Sequence, residues 1–414
     1  MFMHSTEANL THEQEQLLRE TTINEDGPGS IVRDFENFLS FIAEQKLQLT
    51  KSYNLRLRYL RELNARLTTP LQLGLTRPVQ KSYPHINGLY LLVRASGLTY
   101  IDDYGKSPIL YINETAYQSW QTLNPTERYL SLLETWLTRA APEIIGERDG
   151  PFGSLGNLRG FRRLVKKLSY NDKERDSQAE IESRIRYVVG DYNFGLVDLF
   201  GFIKTEFGPP LPKKGWYLKH VESTPFGDAL LTLLRQKLKD NWFSFEEDEN
   251  LLKTLQATLQ PYFPESQNRL TITNNEAPSE GTHIFKVSLS DCWRRLAIRA
   301  DDDLDTLAYA ILRAVEFDND HLYYFAYRDR FGMEHKIYHP YMEEGTLTNE
   351  VELGDLALHP GQKMTFLFDF GDHWEFNITL ERLDTEMEID EPTLLEAYGE
   401  APEQYEYWDE EEWE

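Results

Sequence analysis

The sequence predicts a multidomain protein, in which a mainly α-helical N-terminal region with winged-helix-like units precedes an α+β, β-grasp-like C-terminal domain. A chain of 414 residues exceeds the size of one ordinary hydrophobic core and indicates two to four domains. Apolar residues recur at helical spacing in the N-terminal part, whereas beyond residue 283 they alternate with polar residues as in half-buried strands. This change of period predicts a change of fold class at the same point.

Changes of composition and turn-forming residues set the predicted domain boundaries. These are a polar N-terminal segment (1–29), a winged-helix-like helical domain (30–148), a second helical or winged-helix-like unit (149–260), a linker (261–282), the α+β domain (283–385) and an acidic aromatic tail (386–414).

The first helical domain has the element order of a winged helix, which is three helices followed by a two-stranded ribbon. Its predicted elements are helices over 31–48, 55–67 and 86–96, strands over 98–102 and 109–112, and a further helix over 125–140. Asn124 is a good N-cap for the last helix because Pro125 can occupy its first position and Glu127 can complete a capping box.

A similar order recurs over residues 176–239. A helix over 178–187 leads through apolar segments to Trp216, and Thr224 then caps a helix that begins at Pro225. We therefore predict a second, more divergent winged-helix-like unit. Winged helices dock proteins as readily as they read DNA, so this order alone leaves both functions open.

The C-terminal domain is predicted to contain a hairpin, a crossing helix and a return set of strands. Phe285, Val287 and Leu289 share one face of the first strand, and Asp303 is the expected cap of the helix. The remaining elements are a second strand over 293–298, the helix over 304–317, strands over 322–327 and 336–338, and two closing strands around the turn 369–375.

The net charge of −26 is distributed unevenly along the chain. Residues 386–414 hold thirteen acids and no Lys or Arg, whereas residues 46–106 hold ten bases against three acids. A second basic run, 156–175, holds seven bases against two acids. Such runs are either solvated helix faces or phosphate-contacting surfaces. The candidate nucleic-acid contacts are Arg56, Arg58, Arg61, Arg66 and Lys81.

The sequence predicts a cytoplasmic protein without a membrane segment. Its first residues lack a basic start followed by an apolar run, and no stretch approaches about 18 uninterrupted apolar residues. The single cysteine, Cys292, cannot build an internal disulfide framework, and we expect it to be a small packing residue. No phosphate-loop, dinucleotide-binding, metalloprotease or serine-hydrolase motif occurs, and no cofactor is predicted.

The turn Asp369-Phe370-Gly371-Asp372-His373-Trp374-Glu375 joins two strongly alternating segments and concentrates polar side chains. A candidate polar cluster consists of Asp369, Asp372, His373 and Glu375, with His321 joining it from the end of the helix. Carboxylates and imidazoles that converge can bind a divalent metal or transfer protons. The alternative is a polar hairpin turn with Trp374 packed in the core and His321 capping the helix.

Five sequence blocks resemble a known family. They are Ile284-Phe285-Lys286-Val287-Ser288-Leu289, Trp293-Arg294-Arg295, His321-Leu322-Tyr323-Tyr324-Phe325, the 369–375 turn and Gly399-Glu400-Ala401-Pro402-Glu403-Gln404-Tyr405. Together they are similar to the plasmid ORF-three-like family, which is named after a reading frame of the pRiA plasmid and is also filed among transposon passenger proteins. The resemblance covers about the last third of the chain and implies an α+β domain whose biochemical role is undefined.

The resemblance also implies two further histidines, and this chain has Tyr323 and Phe376 at those positions. Any metal that the family's histidines bind is therefore expected to be absent here. Three functions stay open: an interaction or adaptor protein with a protein partner, a DNA-binding regulator that uses the winged-helix unit, and a metal-dependent or hydrolytic enzyme at the 369–375 turn. The sequence leaves the oligomeric state open.

Overall fold

A computed structural model describes residues 10–102, 107–147, 185, 189–210, 212–237, 248–270, 279–329, 334–342, 345–356 and 358–405. The turn at 103–106, the basic run 156–175, most of the predicted helix 178–187 and residues 406–414 lie outside these ranges. The chain divides into two compact units, Met1–Ile272 and Thr273–Glu414. The N-terminal unit is mainly helical and the C-terminal unit is α+β, so the coarse fold class is as the sequence predicts.

The described helices of the N-terminal unit are α1 (His12–Glu20), α2 (Ile31–Glu44), α3 (Leu57–Arg66), α4 (Pro84–Ala95), α5 (Glu114–Thr122), α6 (Pro125–Thr138), α7 (Asp191–Leu199), α8 (Pro225–Lys237) and α9 (Asp248–Leu259). Strands β1 (Leu47–Gln48), β2 (Thr99–Asp102) and β3 (Ile109–Ile112) form a small sheet in the order β1-β3-β2, and β4 (Ile203–Gly208) pairs with β5 (Tyr217–Ser223).

Two sequence predictions need correction in this unit. The helix predicted over 31–48 ends at Glu44, because Gln45 is extended and Leu47 pairs with Leu110 of β3. The apolar segment 194–197, which the predicted order of elements places between the helix 178–187 and Trp216, lies inside a helix, α7. The predicted capping box of α6 is present, since the Asn124 side chain accepts from the Glu127 amide and the Glu127 carboxylate accepts from the Asn124 amide.

Helices α4 and α7 cross in close contact at two glycines. A Cβ atom at Gly88 would lie 2.8 Å from the Tyr192 carbonyl oxygen, and one at Gly195 would lie 2.3 Å from the Pro84 carbonyl oxygen. Small residues at a crossing allow two helix backbones to approach one another. All twelve residues of α4 are buried as a result of this and the surrounding contacts.

Residues 261–270, which the sequence assigns to a linker, are attached to α6 by polar contacts. The Glu127 carboxylate accepts hydrogen bonds from the amides of Gln267 at 3.0 Å and Asn268 at 2.6 Å. About two turns further along the same helix, Glu134 pairs with Arg269 at 2.7 Å. Burial raises the pKa of Glu134, and Arg269 opposes that effect.

The described elements of the C-terminal unit are β6 (Thr282–Leu289), β7 (Cys292–Arg299), α10 (Leu304–Ala314), β8 (Tyr323–Arg328), β9 (Glu334–Tyr338), β10 (Thr346–Leu347), β11 (Lys363–Phe368), β12 (Trp374–Asp384) and β13 (Thr393–Tyr398). The strands form one sheet in the order β10-β9-β8-β11-β12-β6-β7-β13. All neighbouring pairs among them are antiparallel except β10 with β9.

Helix α10 packs on one face of this sheet, as the sequence predicts. Its buried residues Leu307 and Ile311 belong to the same core as Phe285 of β6 and Leu296 of β7. The Asp303 side chain caps the helix by accepting a hydrogen bond from the Thr306 amide at 2.7 Å. None of the described helices has the length and apolar composition needed to cross a membrane.

Candidate functional site

The turn between β11 and β12 is shaped by Asp369. Its side chain accepts a hydrogen bond from the Gly371 amide, and its carbonyl oxygen accepts one from the His373 amide, both at 2.8 Å. Asp369 and His373 have φ angles of 56° and 62°, in the left-handed region that non-glycine residues seldom adopt. The carboxylate of Asp369 therefore holds the turn together and is not directed wholly outward.

Only two of the five residues of the candidate polar cluster are shown to interact. His321 Nε2 lies 3.4 Å from Asp369 Oδ2, and Asp369 is largely buried while His321 is half-buried. Asp372, His373 and Glu375 are exposed and make no side-chain hydrogen bond or ion pair with other described residues. Within the described part of the chain, no three His, Cys, Asp or Glu side chains are placed to hold a metal ion.

Tyr323 and Phe376, which replace the family's expected histidines, are both completely buried core residues. The Tyr323 hydroxyl donates to Asp305 in the first turn of α10, and burial together with this carboxylate raises the pKa of Tyr323 well above its ordinary value. The ring of Phe376 lies 5.4 Å from the ring of Phe366. Both positions therefore contribute to packing, and neither side chain could supply a metal ligand of the histidine type.

The last described residues, Gln404 and Tyr405, bind to the segment next to His321. The Tyr405 hydroxyl donates to the Asp320 carboxylate, and the Gln404 side chain exchanges hydrogen bonds with the backbone of Asp318. The bond to Asp320 raises the pKa of Tyr405 to about 12 and lowers the pKa of Asp320. The first part of the acidic aromatic tail thus packs on its own domain.

Trp374, at the first position of β12, packs against the core as the sequence predicts. Its ring lies 5.0 Å from that of Phe317 in an edge-to-face arrangement. Cys292 is likewise buried at the start of β7, as expected for a small packing residue. The turn 369–375 is thus stabilised by the apolar contacts of Trp374 with the core.

Three of the five predicted nucleic-acid contacts are engaged within the N-terminal unit. Arg56 donates to the Leu49 carbonyl and to Ser107, Arg58 donates to Gln48 and Tyr59, and Arg66 pairs with Glu44 and Glu62. Arg61 and Lys81 are exposed and form no hydrogen bond or ion pair with other described residues. The structure therefore leaves two of these five side chains available to a phosphate.

Sequence reasoning missed a cleft of about 530 Å³ in the C-terminal unit. It is lined by residues 279–282, 299–301, 352, 354 and 387–390, which come from four distant parts of the sequence. Five of the lining residues are acids and one, Arg299, is a base. The excess of acids in 386–414 was visible in the sequence, but its position beside 279–282 depends on the pairing of β6 with β12.

Ser279, in one wall of the cleft, contacts the buried side chain of His283. Ser279 Oγ lies 2.8 Å from His283 Nε2, and no hydrogen-bond partner of the buried His283 Nδ1 is found among the described residues. Burial lowers the pKa of His283 to about 4. Because efficient general bases have pKa values near the working pH, this imidazole is a poor base for activating Ser279.

The sequence of this unit matches one family. Residues 283–405 match the family model described as "Plasmid pRiA4b ORF-3-like protein". The C-terminal domain is therefore pRiA4b ORF-3-like. All five sequence blocks lie within the matched residues, so the resemblance drawn from them is confirmed for this third of the chain.

Two proteins to which this chain is similar carry no stated activity. Over 112 residues the chain is 32% identical to the uncharacterised protein y4hQ of Sinorhizobium fredii, which covers 26% of this chain and 56% of that protein. The chain thus matches only about half of the length of that curated relative. A crystal structure of a protein of unknown function from Methanosarcina mazei Go1 matches at 22% identity with a TM-score of 0.27, covering 30% of this chain and 72% of that chain.

Proposed function

We propose that this is a non-enzymatic interaction or adaptor protein and that its ORF-3-like domain is the docking platform for a protein partner. The observation that carries the proposal is the outer strand of the sheet, β13, which among the described strands pairs with β7 alone. Three of its apolar side chains are exposed, Leu394 by 49%, Leu395 by 38% and Tyr398 by 62%. An exposed strand with unpaired backbone groups is a surface on which a partner can add a further strand.

The N-terminal unit supports an interaction role through the burial of α4. In the winged-helix arrangement that we propose for α2, β1, α3, α4, β2 and β3, α4 would be the helix that reads DNA. All of its residues are buried, and Gly88 and Gly195 bring it against α7. A helix enclosed in this way cannot enter the major groove of B-form DNA, as a recognition helix must.

The test is affinity capture from the native cytoplasm, with and without nuclease, of the wild-type protein and two variants. We expect protein partners that survive nuclease treatment, that are lost with the double variant L394D/L395D on β13, and that are retained with Tyr309→Asp on α10. Tyr309 is a suitable control because it is exposed by 55% and lies outside the sheet edge. Capture that is equal for all three proteins, or that nuclease abolishes, would contradict the proposal.

A DNA-binding regulator is the second candidate, and the sheet order β1-β3-β2 with its preceding helices favours it. In that function Arg61 and Lys81 would contact phosphates, because both are exposed and form no described ion pair. Anisotropy of a labelled duplex measured over a salt series tests this candidate. Salt-dependent binding that weakens in R61E/K81E would favour it, and absence of binding at low salt would exclude it.

A further inference from the structure

We infer that the segment that docks on β13 is a basic, extended peptide, and that one of its Lys or Arg side chains enters the acidic cleft beside that strand. This inference rests on the proposed docking function of the ORF-3-like domain and names the chemistry of its partner. It depends on three features of the described residues: the position of the cleft, its charge, and the nature of the strand edge.

The cleft and the strand edge adjoin one another along the chain. Residues 387–390 form one wall of the cleft, and β13 begins at Thr393 after only Glu391 and Pro392. At about 3.3 Å per extended residue, this separation is on the order of 10 Å. A strand added to β13 therefore passes within reach of a Lys or Arg side chain of the cleft.

Backbone contacts fix the walls of the cleft. The Ser279 amide donates to the Gly354 carbonyl at 3.0 Å, and the Gly354 amide donates to the Ala300 carbonyl at 2.8 Å. The Thr282 hydroxyl donates to the Met387 carbonyl at 2.6 Å, which ties the wall before β13 to the start of β6. The cleft is thus formed before a ligand arrives, and less ordering is needed on binding.

The charge of the cleft selects a cation. Its base, Arg299, lies 3.0 Å from Asp301 and 3.2 Å from Asp302, so its charge is already compensated. The remaining acids of the cleft form no ion pair with other described residues; they are Glu280, Glu352, Glu388 and Asp390. Carboxylates that line one cleft without a counter-charge attract an ammonium or guanidinium group.

The edge itself disfavours a second copy of this chain as the occupant. Residues 386–405 contain seven acids and no Lys or Arg, so two such edges placed together would bring like charges into opposition. A basic strand does not meet this obstacle, because its charge is opposite to that of the edge.

The experiment measures binding of a labelled peptide of alternating valine and lysine to the full-length protein by fluorescence anisotropy. We expect the double variant E388Q/D390N to weaken this binding by about tenfold, because it removes two charges from the cleft. Glu375→Gln is the matched control, since Glu375 is an exposed acid outside the cleft, and it should leave the affinity unchanged. Bound peptide should also slow hydrogen exchange of the β13 amides.

Several outcomes would overturn the inference. These are equal binding of a valine and glutamate peptide, an affinity that E388Q/D390N does not alter, and protection outside β13. If the basic peptide fails to bind while capture of cellular partners still depends on Leu394 and Leu395, the charge assignment is wrong and the docking function stands. If that capture also fails, the docking function falls with it.

Discussion

The imidazole of His283 is completely buried near the start of β6, where Ser279 is its hydrogen-bond partner. Burial lowers its pKa to about 4, whereas a histidine in an unfolded chain titrates near 6.5. Between pH 6.5 and pH 4, His283 is therefore protonated in the unfolded chain but mostly neutral in the folded protein. The stabilisation from this group is complete above pH 6.5 and is lost as the pH falls towards 4.

Replacing His283 with leucine should make the stability of the C-terminal unit less sensitive to acid. Each unit of pKa difference is worth about 1.4 kcal/mol, so the wild-type protein should lose more free energy of unfolding between pH 7 and pH 4.5 than H283L does. Urea unfolding at both pH values measures this difference. The control is His12→Leu, because His12 is exposed; an equal acid sensitivity of H283L and the wild type would refute the argument.

The roles of residues whose partners are near in sequence could be predicted, and the roles of residues whose partners are distant in sequence could not. Asn124 and Asp303 cap helices that begin at the next residue, so their function follows from local sequence. His283 and Ser279 are also close in sequence, but the burial that sets the pKa of His283 comes from the assembled sheet. Of the candidate polar cluster, His321 meets Asp369 only because β8 and β11 are neighbours.

At the scale of elements, the crossing of α4 and α7 is the most extensive contact between two described helices of the N-terminal unit. It depends on the absence of a side chain at Gly195, where an added Cβ would lie 2.3 Å from the Pro84 carbonyl oxygen. A backbone atom cannot move aside as a flexible side chain can. The two helices would have to separate to admit even a methyl group.

Gly195→Ala should therefore destabilise the N-terminal unit by about 1–3 kcal/mol, although alanine is the better helix former. Gly215→Ala is the matched control, because an added Cβ there meets no atom within 4 Å. Chemical denaturation of both variants measures the difference. The proposed packing would be wrong if G195A were as stable as G215A or the wild type.

The attachment of residues 261–270 to α6 depends on Glu127. Burial raises the pKa of Glu127, but hydrogen bonds from Asn124, Asn268 and Gln267 outweigh this and leave the pKa below its ordinary value. The carboxylate is thus the favoured form in the folded chain. Its stabilising contribution is present above the unfolded pKa and is lost as the pH falls through the folded value.

Glu127→Ala should release this attachment. We expect faster hydrogen exchange at the amides of Gln267 and Asn268, and a loss of about 1–3 kcal/mol from donors left without an acceptor. Glu114→Ala is the control, because Glu114 is an exposed acid in the first turn of α5. Unchanged exchange at both amides in E127A would contradict this assignment.

The periodicity of apolar residues predicted most helices and strands, and it failed where tertiary contacts determine the local structure. The end of α2 was misplaced because the pairing of Leu47 with Leu110 draws the chain out of the helix. The sequence 191–199 was not assigned to a helix, since its glycine and asparagine weaken the local helical signal, and α7 is stabilised by packing on α4. In the C-terminal unit, alternation predicted β11 and β12 closely, but not the order of strands in the sheet.

On the scale of the whole molecule, the acidic residues are concentrated in the last part of the chain, and the helical and α+β units occupy separate parts of the sequence. Half of the net charge of −26 is carried by residues 386–414, which contain thirteen acids. The sequence further suggests that the last acids, in 406–414, cover the basic N-terminal surface; these residues lie outside the described ranges, and this idea stays a prediction. Of the described acids in this segment, Glu388 and Asp390 line the cleft and Glu396 lies on β13, and these positions could not be inferred without the sheet order.

Each unit has its own buried core, so a core substitution should affect one unit at a time. Phe366 is completely buried and its ring lies 4.6 Å from that of Phe325 in the C-terminal core. Phe366→Ala should cost about 3–5 kcal/mol and accelerate hydrogen exchange in residues 279–405, while Gly195→Ala should do so in residues 10–270. Exchange measured by mass spectrometry across the whole chain compares the two variants directly. A single variant that accelerates exchange equally in both units would show that they unfold together and would refute their independence.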